Sequence, residues 1–262
     1  MTQKRLEDAL KNTLDRGEKA FIPYIMAGDG GLERLKQDLL FFQEAGATAI
    51  ELGIPFSDPV ADGPVIQRAG ERALKNGTTL RKIIRELVEI RDIVTLPVIL
   101  MTYLNPVFTY GVDQFAKDCG EAGVSGCIIP DLPLEESGLV SGALQSADVA
   151  LIQLVSLTSP QERIKQIADS AEGFLYAVTI KGITGARKTF EQETGQFLQA
   201  VKLISNVPVL AGFGISAPEH VAEAGQHCDG VVVGSKIVEH LQHGDYESIK
   251  TLIKASKEPL SI

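Results

Sequence analysis

Eight short apolar runs recur along this chain, each separated from the next by a longer stretch of helical period. They read "FIPYIMAG", "ATAIELG", "LPVILMTY", "SGCIIPD", "VALIQLV", "GFLYAVT", "VPVLAGFG" and "GVVVGS". Continuous hydrophobicity over so few residues is the pattern of a parallel strand buried on both faces. Between the first two runs, "LERLKQDLLFFQEAG" places Leu32, Leu35, Leu39 and Phe42 on one helical face, and Gly46 supplies a stop. "TTLRKIIRELVEI" repeats the device with Leu80, Ile83, Leu87 and Ile90. Eight strands alternating with amphipathic helices over roughly 250 residues predict a single (β/α)8 TIM barrel. The competing arrangement is an open doubly wound sheet. The number of units favours closure, as does the lack of a glycine fingerprint directly after the first run.

No linker rich in Pro, Gly or Ser and no low-complexity tract interrupts the 262 residues, so residues 1–262 are expected to form one domain. The start, "MTQKRLEDALKNTLDRGEKA", alternates charged and apolar residues at helical spacing and predicts an extra N-terminal helix rather than a signal segment. No apolar stretch approaches membrane-spanning length, and a cytoplasmic location is expected. A net charge of −9 provides no cationic field for nucleic acid or an anionic membrane, but leaves room for a small anion held by backbone donors. Cys119, Cys127 and Cys228 are odd in number and without CxxC spacing, which reads as three reduced, buried thiols.

The second run opens "ELGIPFSDPVADGP", where Glu51, Asp58 and Asp62 gather as a strand gives way to a loop. Side chains alternate along a strand, so Ala49 and Glu51 share one face while Ile50 and Leu52 share the other. The branched face suits the helices, which leaves Glu51 in the barrel lumen, at the strand end where barrel enzymes do their chemistry. A lone carboxylate buried there is costly unless it is bonded or functional. The plain alternative for Glu51 is a charge satisfied by a lysine or a backbone amide. For Asp62, ahead of Gly63 and Pro64, and for Asp58, ahead of Pro59, it is a turn. Two carboxylates at one mouth suit proton transfer, one shuttling a proton while the other stays ionised. They would also suit a divalent metal, but His220, His227, His240 and His243 lie in late segments and form no ligand cluster with them, so no metal is expected.

"AGFGIS" closes the seventh run, and "VVVGSKIVEHL" carries the eighth straight into a helix beginning near Gly234 and Ser235. Glycines there let backbone N–H groups approach an anion, and loops after strands seven and eight are where barrels commonly bind phosphate. Gly212 and Gly214 are otherwise a tight turn, with Ser216 and Glu219 as a capping box. "TIKGITGARKTF", Thr179 to Phe190, reads either as a mobile loop over the mouth or as an ordinary exposed connection.

"ELGIPFSDPVADGPVIQ", "LMTYLNPVFTYG", "IIPDLPLEE", "GITGAR", "GFGIS" and "VVVGS", in that order, make the chain resemble the tryptophan synthase α-subunit family over nearly its whole length. That resemblance implies an α/β barrel that splits indole-3-glycerol phosphate into indole and glyceraldehyde 3-phosphate by a retro-aldol reaction without a cofactor. It implies Glu51 as general acid/base at indole C3 and the glycerol hydroxyl, and Asp62 as partner of the indole N–H. It further implies Tyr176 near the reacting hydroxyl, Thr184 closing onto Asp62, and Gly185, Gly214, Gly234 and Ser235 around the phosphate. Tyr24 and Met101 would line the indole pocket, or else be plain core; for Ile152 and Leu154 core alone is expected.

The resemblance also implies a β subunit carrying pyridoxal phosphate in an α2β2 complex, with indole tunnelling between sites, docked on loops around Asp58, Asn105, Phe108, Asp131 and Pro133. On sequence alone Asn105 and Pro106 read as a turn and Phe108 as core or interface. Two segments depart from the family's usual pattern. "MAGDGG" lacks the threonine before the alanine and the proline after the aspartate, and "TIKGITG" carries Lys181. The rival readings are another phosphate-binding barrel enzyme and a non-catalytic regulatory barrel subunit.

Overall fold

The computed structural model describes residues 2–179, 187–212 and 214–258, the first six residues of the second segment by their backbone path. Eight parallel strands close into a barrel in sequence order: β1 (Ala20–Met26), β2 (Ile50–Gly53), β3 (Val98–Met101), β4 (Val124–Ile128), β5 (Ala150–Ser156), β6 (Leu175–Val178), β7 (Val209–Gly212) and β8 (Gly230–Val233). Each lies within one of the eight apolar runs or overlaps it. The ladder from Ala20 to Gly230 joins β1 to β8, which decides for the closed barrel over the open sheet.

The helices are α1 (Thr2–Asp15), α2 (Leu35–Ala45), α3 (Pro64–Lys75), α4 (Leu80–Ile90), α5 (Leu104–Tyr110), α6 (Val112–Glu121), α7 (Ser141–Ser146), α8 (Gln161–Asp169), α9 (Arg187–Ile204), α10 (Pro218–His227), α11 (Ser235–His243) and α12 (Tyr246–Ala255). Leu35, Leu39 and Phe42 of α2 and Leu80, Ile83, Leu87 and Ile90 of α4 are buried on the expected faces. Leu32 falls instead in a 3₁₀ turn, Leu32–Arg34, ahead of α2. Gly46 ends α2 in the left-handed region at φ 83°, where a side chain would be strained.

Two apolar layers result. Ile50 and Leu52 pack outward with the helices in one cluster, while Ala49, Ile22, Ile99, Ile128 and Leu210 fill the lumen in another. Leu6 and Leu10 of α1 belong to the lumen cluster with Phe174, so the extra N-terminal helix plugs the floor of the barrel and leaves the opposite end open. Cys119, Cys127 and Cys228 are free and buried. Among the described residues no helix is long and apolar enough to cross a membrane.

The first loop, lacking the usual proline, is fastened from α3. Arg72 donates through Nε and Nη2 to the two carboxylate oxygens of Asp29, each at 2.7 Å.

Candidate active site

At the C-terminal ends of the strands the lumen opens into a cavity of about 890 Å³ whose wall includes Tyr24, Glu51, Asp62, Tyr176, Gly234 and Ser235. Strand register sets Glu51 beside Tyr24 on one side and Ile99 on the other. Glu51 is 4% exposed, and its Oε2 has no hydrogen-bond partner among the described residues. Among the described residues no lysine or backbone amide bonds to it, so the plain reading of a satisfied buried charge does not hold there. Burial, reinforced by the nearby Asp62, pushes its carboxyl up to about 8. Glu51 is therefore a neutral acid at neutral pH, ready to donate a proton.

Asp62 is both a turn residue and a wall residue. Its N–H donates to the Pro59 carbonyl at 3.1 Å and its own carbonyl accepts from Gln67 Nε2 at 2.9 Å, so the backbone makes the turn and the carboxylate remains for the cavity. Partial burial raises it to about 6, with the Tyr103 hydroxyl, hydrogen-bonded to it, pulling the other way. That hydroxyl also accepts from the Ala61 N–H at 2.9 Å. Two carboxyls in one cavity thus take opposite states near neutrality: Glu51 protonated, Asp62 ionised. Tyr103 lies inside the quoted "LMTYLNPVFTYG", but nothing local in that stretch points it at a residue 41 positions earlier.

Two glycines shape the wall by what they leave out. A Cβ on Gly53 would stand 2.0 Å from the Tyr24 hydroxyl, and one on Gly212 would stand 2.2 Å from Tyr176 Cε1. Gly212 therefore admits the Tyr176 ring instead of merely making a turn. Met101 lines the cavity and packs against the lumen cluster. Ile152 is core, as expected. Leu154, expected to be core alone, also lines the cavity.

The wall that follows β7 and β8 is the anion end. Gly234 immediately precedes α11 and Ser235 is its first residue, so the helix's unpaired N–H groups and positive end face the same space. Gly214, at φ 79°, has open space where a side chain would project. The capping box of Ser216 and Glu219 does not form. α10 begins at Pro218 after Ala217, without a side-chain cap, and Ser216 Oγ instead lies 3.2 Å from His220 Nδ1. Thr184 and Gly185 lie outside the described residues. The loop expected to run to Phe190 ends sooner, because α9 has already begun at Arg187.

The five residues expected to face a partner stand away from the cavity wall, after β2, β3 and β4. Asp58, Asn105, Asp131 and Pro133 are exposed, and Phe108 is 48% exposed, which places it on the surface rather than in the core. Asn105 and Pro106 are helical, not a turn: both belong to α5, whose first N–H, that of Leu104, donates to Asp131 Oδ1 at 2.9 Å. Among the described residues no group of three His, Cys, Asp or Glu side chains converges on a metal position.

Comparison with known proteins identifies the family of the fold. The sequence model described as tryptophan synthase alpha chain matches residues 10–259. The tryptophan synthase alpha chain of Bacillus cereus strain G9842 is 54% identical over 251 residues, covering 96% of this chain and 97% of its own. The solved alpha subunit from Legionella pneumophila strain Paris superposes with a TM-score of 0.86 at 36% identity, covering 96% of this chain and 97% of that one. A chain of tryptophan synthase from M. tuberculosis, in an aminoacrylate-bound form, gives 0.87 at 31% identity, covering 97% and 99%. A barrel with an acid and a carboxylate at one mouth, matched end to end by these relatives, belongs to the tryptophan synthase alpha chain family.

Proposed function

We propose that Glu51 and Asp62 divide the chemistry of the reaction this family performs, the cleavage of indole-3-glycerol phosphate to indole and glyceraldehyde 3-phosphate. The chain is a carbon–carbon lyase of tryptophan biosynthesis. The observation that carries the assignment of roles is the buried, unpartnered Glu51 carboxyl sharing one cavity with Asp62. Breaking a bond to an aromatic carbon first requires that the ring lose its aromaticity. Protonated Glu51 delivers a proton to indole C3, and positive charge develops at the ring nitrogen. Ionised Asp62, bonded to that N–H, stabilises this charge more in the transition state than in the ground state. The Glu51 carboxylate then takes the proton of the adjacent glycerol hydroxyl. As the carbon–carbon bond breaks, its electrons return to the ring and the hydroxyl carbon becomes the aldehyde.

Around this pair, Tyr24 and Met101 flank the indole, Tyr176 stands near the reacting hydroxyl, and Gly214, Gly234 and Ser235 receive the phosphate. For Thr184 and Gly185, outside the described residues, the resemblance implies a loop contact with Asp62 and a place at the phosphate. The alpha chain itself carries no cofactor; pyridoxal phosphate belongs to the β subunit, its partner in the complex. We assign Asp58, Asn105, Phe108, Asp131 and Pro133 to the surface that meets that subunit. We read residues 1–262 as one catalytic domain, a reading supported by barrel closure between the first and last strands. The three buried free thiols fit a reducing, cytoplasmic setting.

The test is indole release from indole-3-glycerol phosphate by the purified chain, alone and with the β subunit. Loss of release in Glu51→Gln and Asp62→Asn, in folded protein, supports the roles. Undiminished turnover in either variant refutes its assignment.

A further inference from the structure

The described wall of the cavity carries three carboxylates, Glu51, Asp62 and Glu239, and a single cation, Lys236. The substrate brings a phosphate that is close to doubly charged at neutral pH. Backbone N–H groups of Gly214, Gly234 and Ser235 can hydrogen-bond such an anion, but they carry no formal charge to set against it. Lys236 does. It is the second residue of α11, directly after Ser235, on the turn that faces the cavity.

Its Nζ lies 2.8 Å from Glu239 Oε2, three residues along the same helix. The two side chains are 39% and 38% exposed, so water competes with the pair and it is weak. A doubly charged phosphate at the helix's positive end is a stronger partner than one exposed carboxylate. Glu239 is not stranded by the exchange, since its side chain is partly exposed and water can solvate the released carboxylate.

We propose that Lys236 is a phosphate-binding, specificity-determining residue, paired with Glu239 in this structure and handed to the phosphate when substrate binds. This rests on the placement of the phosphate end given above. It assigns the chain's preference for a phosphorylated over an uncharged indole-glycerol to one side chain, and makes Glu239 a competitor that weakens binding.

The two residues therefore have opposite predicted signs, which a merely structural helix contact does not give. With the α–β complex, KM for indole-3-glycerol phosphate and the affinity for inorganic phosphate by calorimetry are compared in wild type, Lys236→Gln and Glu239→Gln. Lys236→Gln is expected to weaken both by about 3- to 10-fold, with the larger part of the kinetic change in KM. Glu239→Gln is expected to tighten both, and Lys236→Arg to retain binding. Unchanged affinity in Lys236→Gln, or the same direction of change in both glutamine variants, overturns the proposal. Phosphate calorimetry reads the lysine without turnover, so a failure of Lys236 and a failure of the lyase assignment give different patterns.

Discussion

Tyr24 and Glu51 sit side by side across the β1–β2 ladder, and each buries a polar atom that has no hydrogen-bond partner among the described residues. Tyr24 is 3% exposed, so both atoms are held away from bulk water. Unpaired buried polar groups oppose folding. Two such atoms side by side on the cavity wall mark a place where stability yields to a site shaped for a ligand.

Glu51 should therefore be a stability liability with a defined pH dependence. Its carboxyl lies near 8 in the folded chain against an ordinary 4.5, so between those values the native state holds a proton that the unfolded state releases. Stability is full below the lower value and is lost as pH rises through the upper one. Glu51→Gln should be inactive yet more stable than wild type at pH 8 and above, by a margin on the order of a few kcal/mol. Denaturant melts across pH check this. The slope that survives in the variant should lie mainly between 3.8 and 6, where Asp62 makes the same kind of contribution.

Activity should follow a bell. Ionised Asp62 sets the acid limb near 6 and protonated Glu51 the basic limb near 8. Tyr103→Phe removes a hydrogen bond that favours the Asp62 carboxylate, so the acid limb should move upward by about one pH unit while the basic limb stays. A pH–rate profile of the variant with unmoved limbs would contradict the role given to Tyr103.

Gly212→Ala should damage the site through Tyr176. The new methyl would meet the ring at 2.2 Å, and both strands that carry the pair are ladder neighbours with little freedom to part. Overpacking of this kind costs about 1–3 kcal/mol. Thermal melting should show that loss. Combining Gly212→Ala with Tyr176→Leu should recover much of the stability without recovering turnover.

Phe108→Ala should separate assembly from folding. The ring is half in water in the lone chain, so its removal should change stability by less than about 0.5 kcal/mol. If it anchors the partner, affinity for the β subunit should fall by about tenfold or more, as expected when a central aromatic contact is truncated. Titration of the β subunit against each variant reads the difference.

Much of the barrel was legible before any coordinates, because strand and helix periods are local. The eight runs, the faces of α2 and α4, the stop at Gly46 and the lumen-facing Glu51 follow from alternation or from a 3.6-residue period. Errors came where a short local signal met a longer-range demand. Asn105 and Pro106 look like a turn, yet they fall within α5, whose start is held by Asp131 from the next loop. Ser216 and Glu219 have the spacing of a capping box, but Ser216 lies beside His220 and the cap never forms.

By itself, then, the sequence determined the alternation of strand and helix, the face on which Glu51 would lie, and the family signature. Tertiary structure alone decided which distant groups meet. Tyr103 reaches Asp62 because β2 and β3 are neighbours whose loops emerge at one rim, Gly53 and Gly212 make room for rings on adjacent strands, and Lys236, after the last strand, shares a wall with carboxylates that follow the second, because β1 pairs with both. The physical reason is closure: one turn of the sheet brings strands from the whole length of the chain to a single mouth, and no local pattern records which side chains will face one another there.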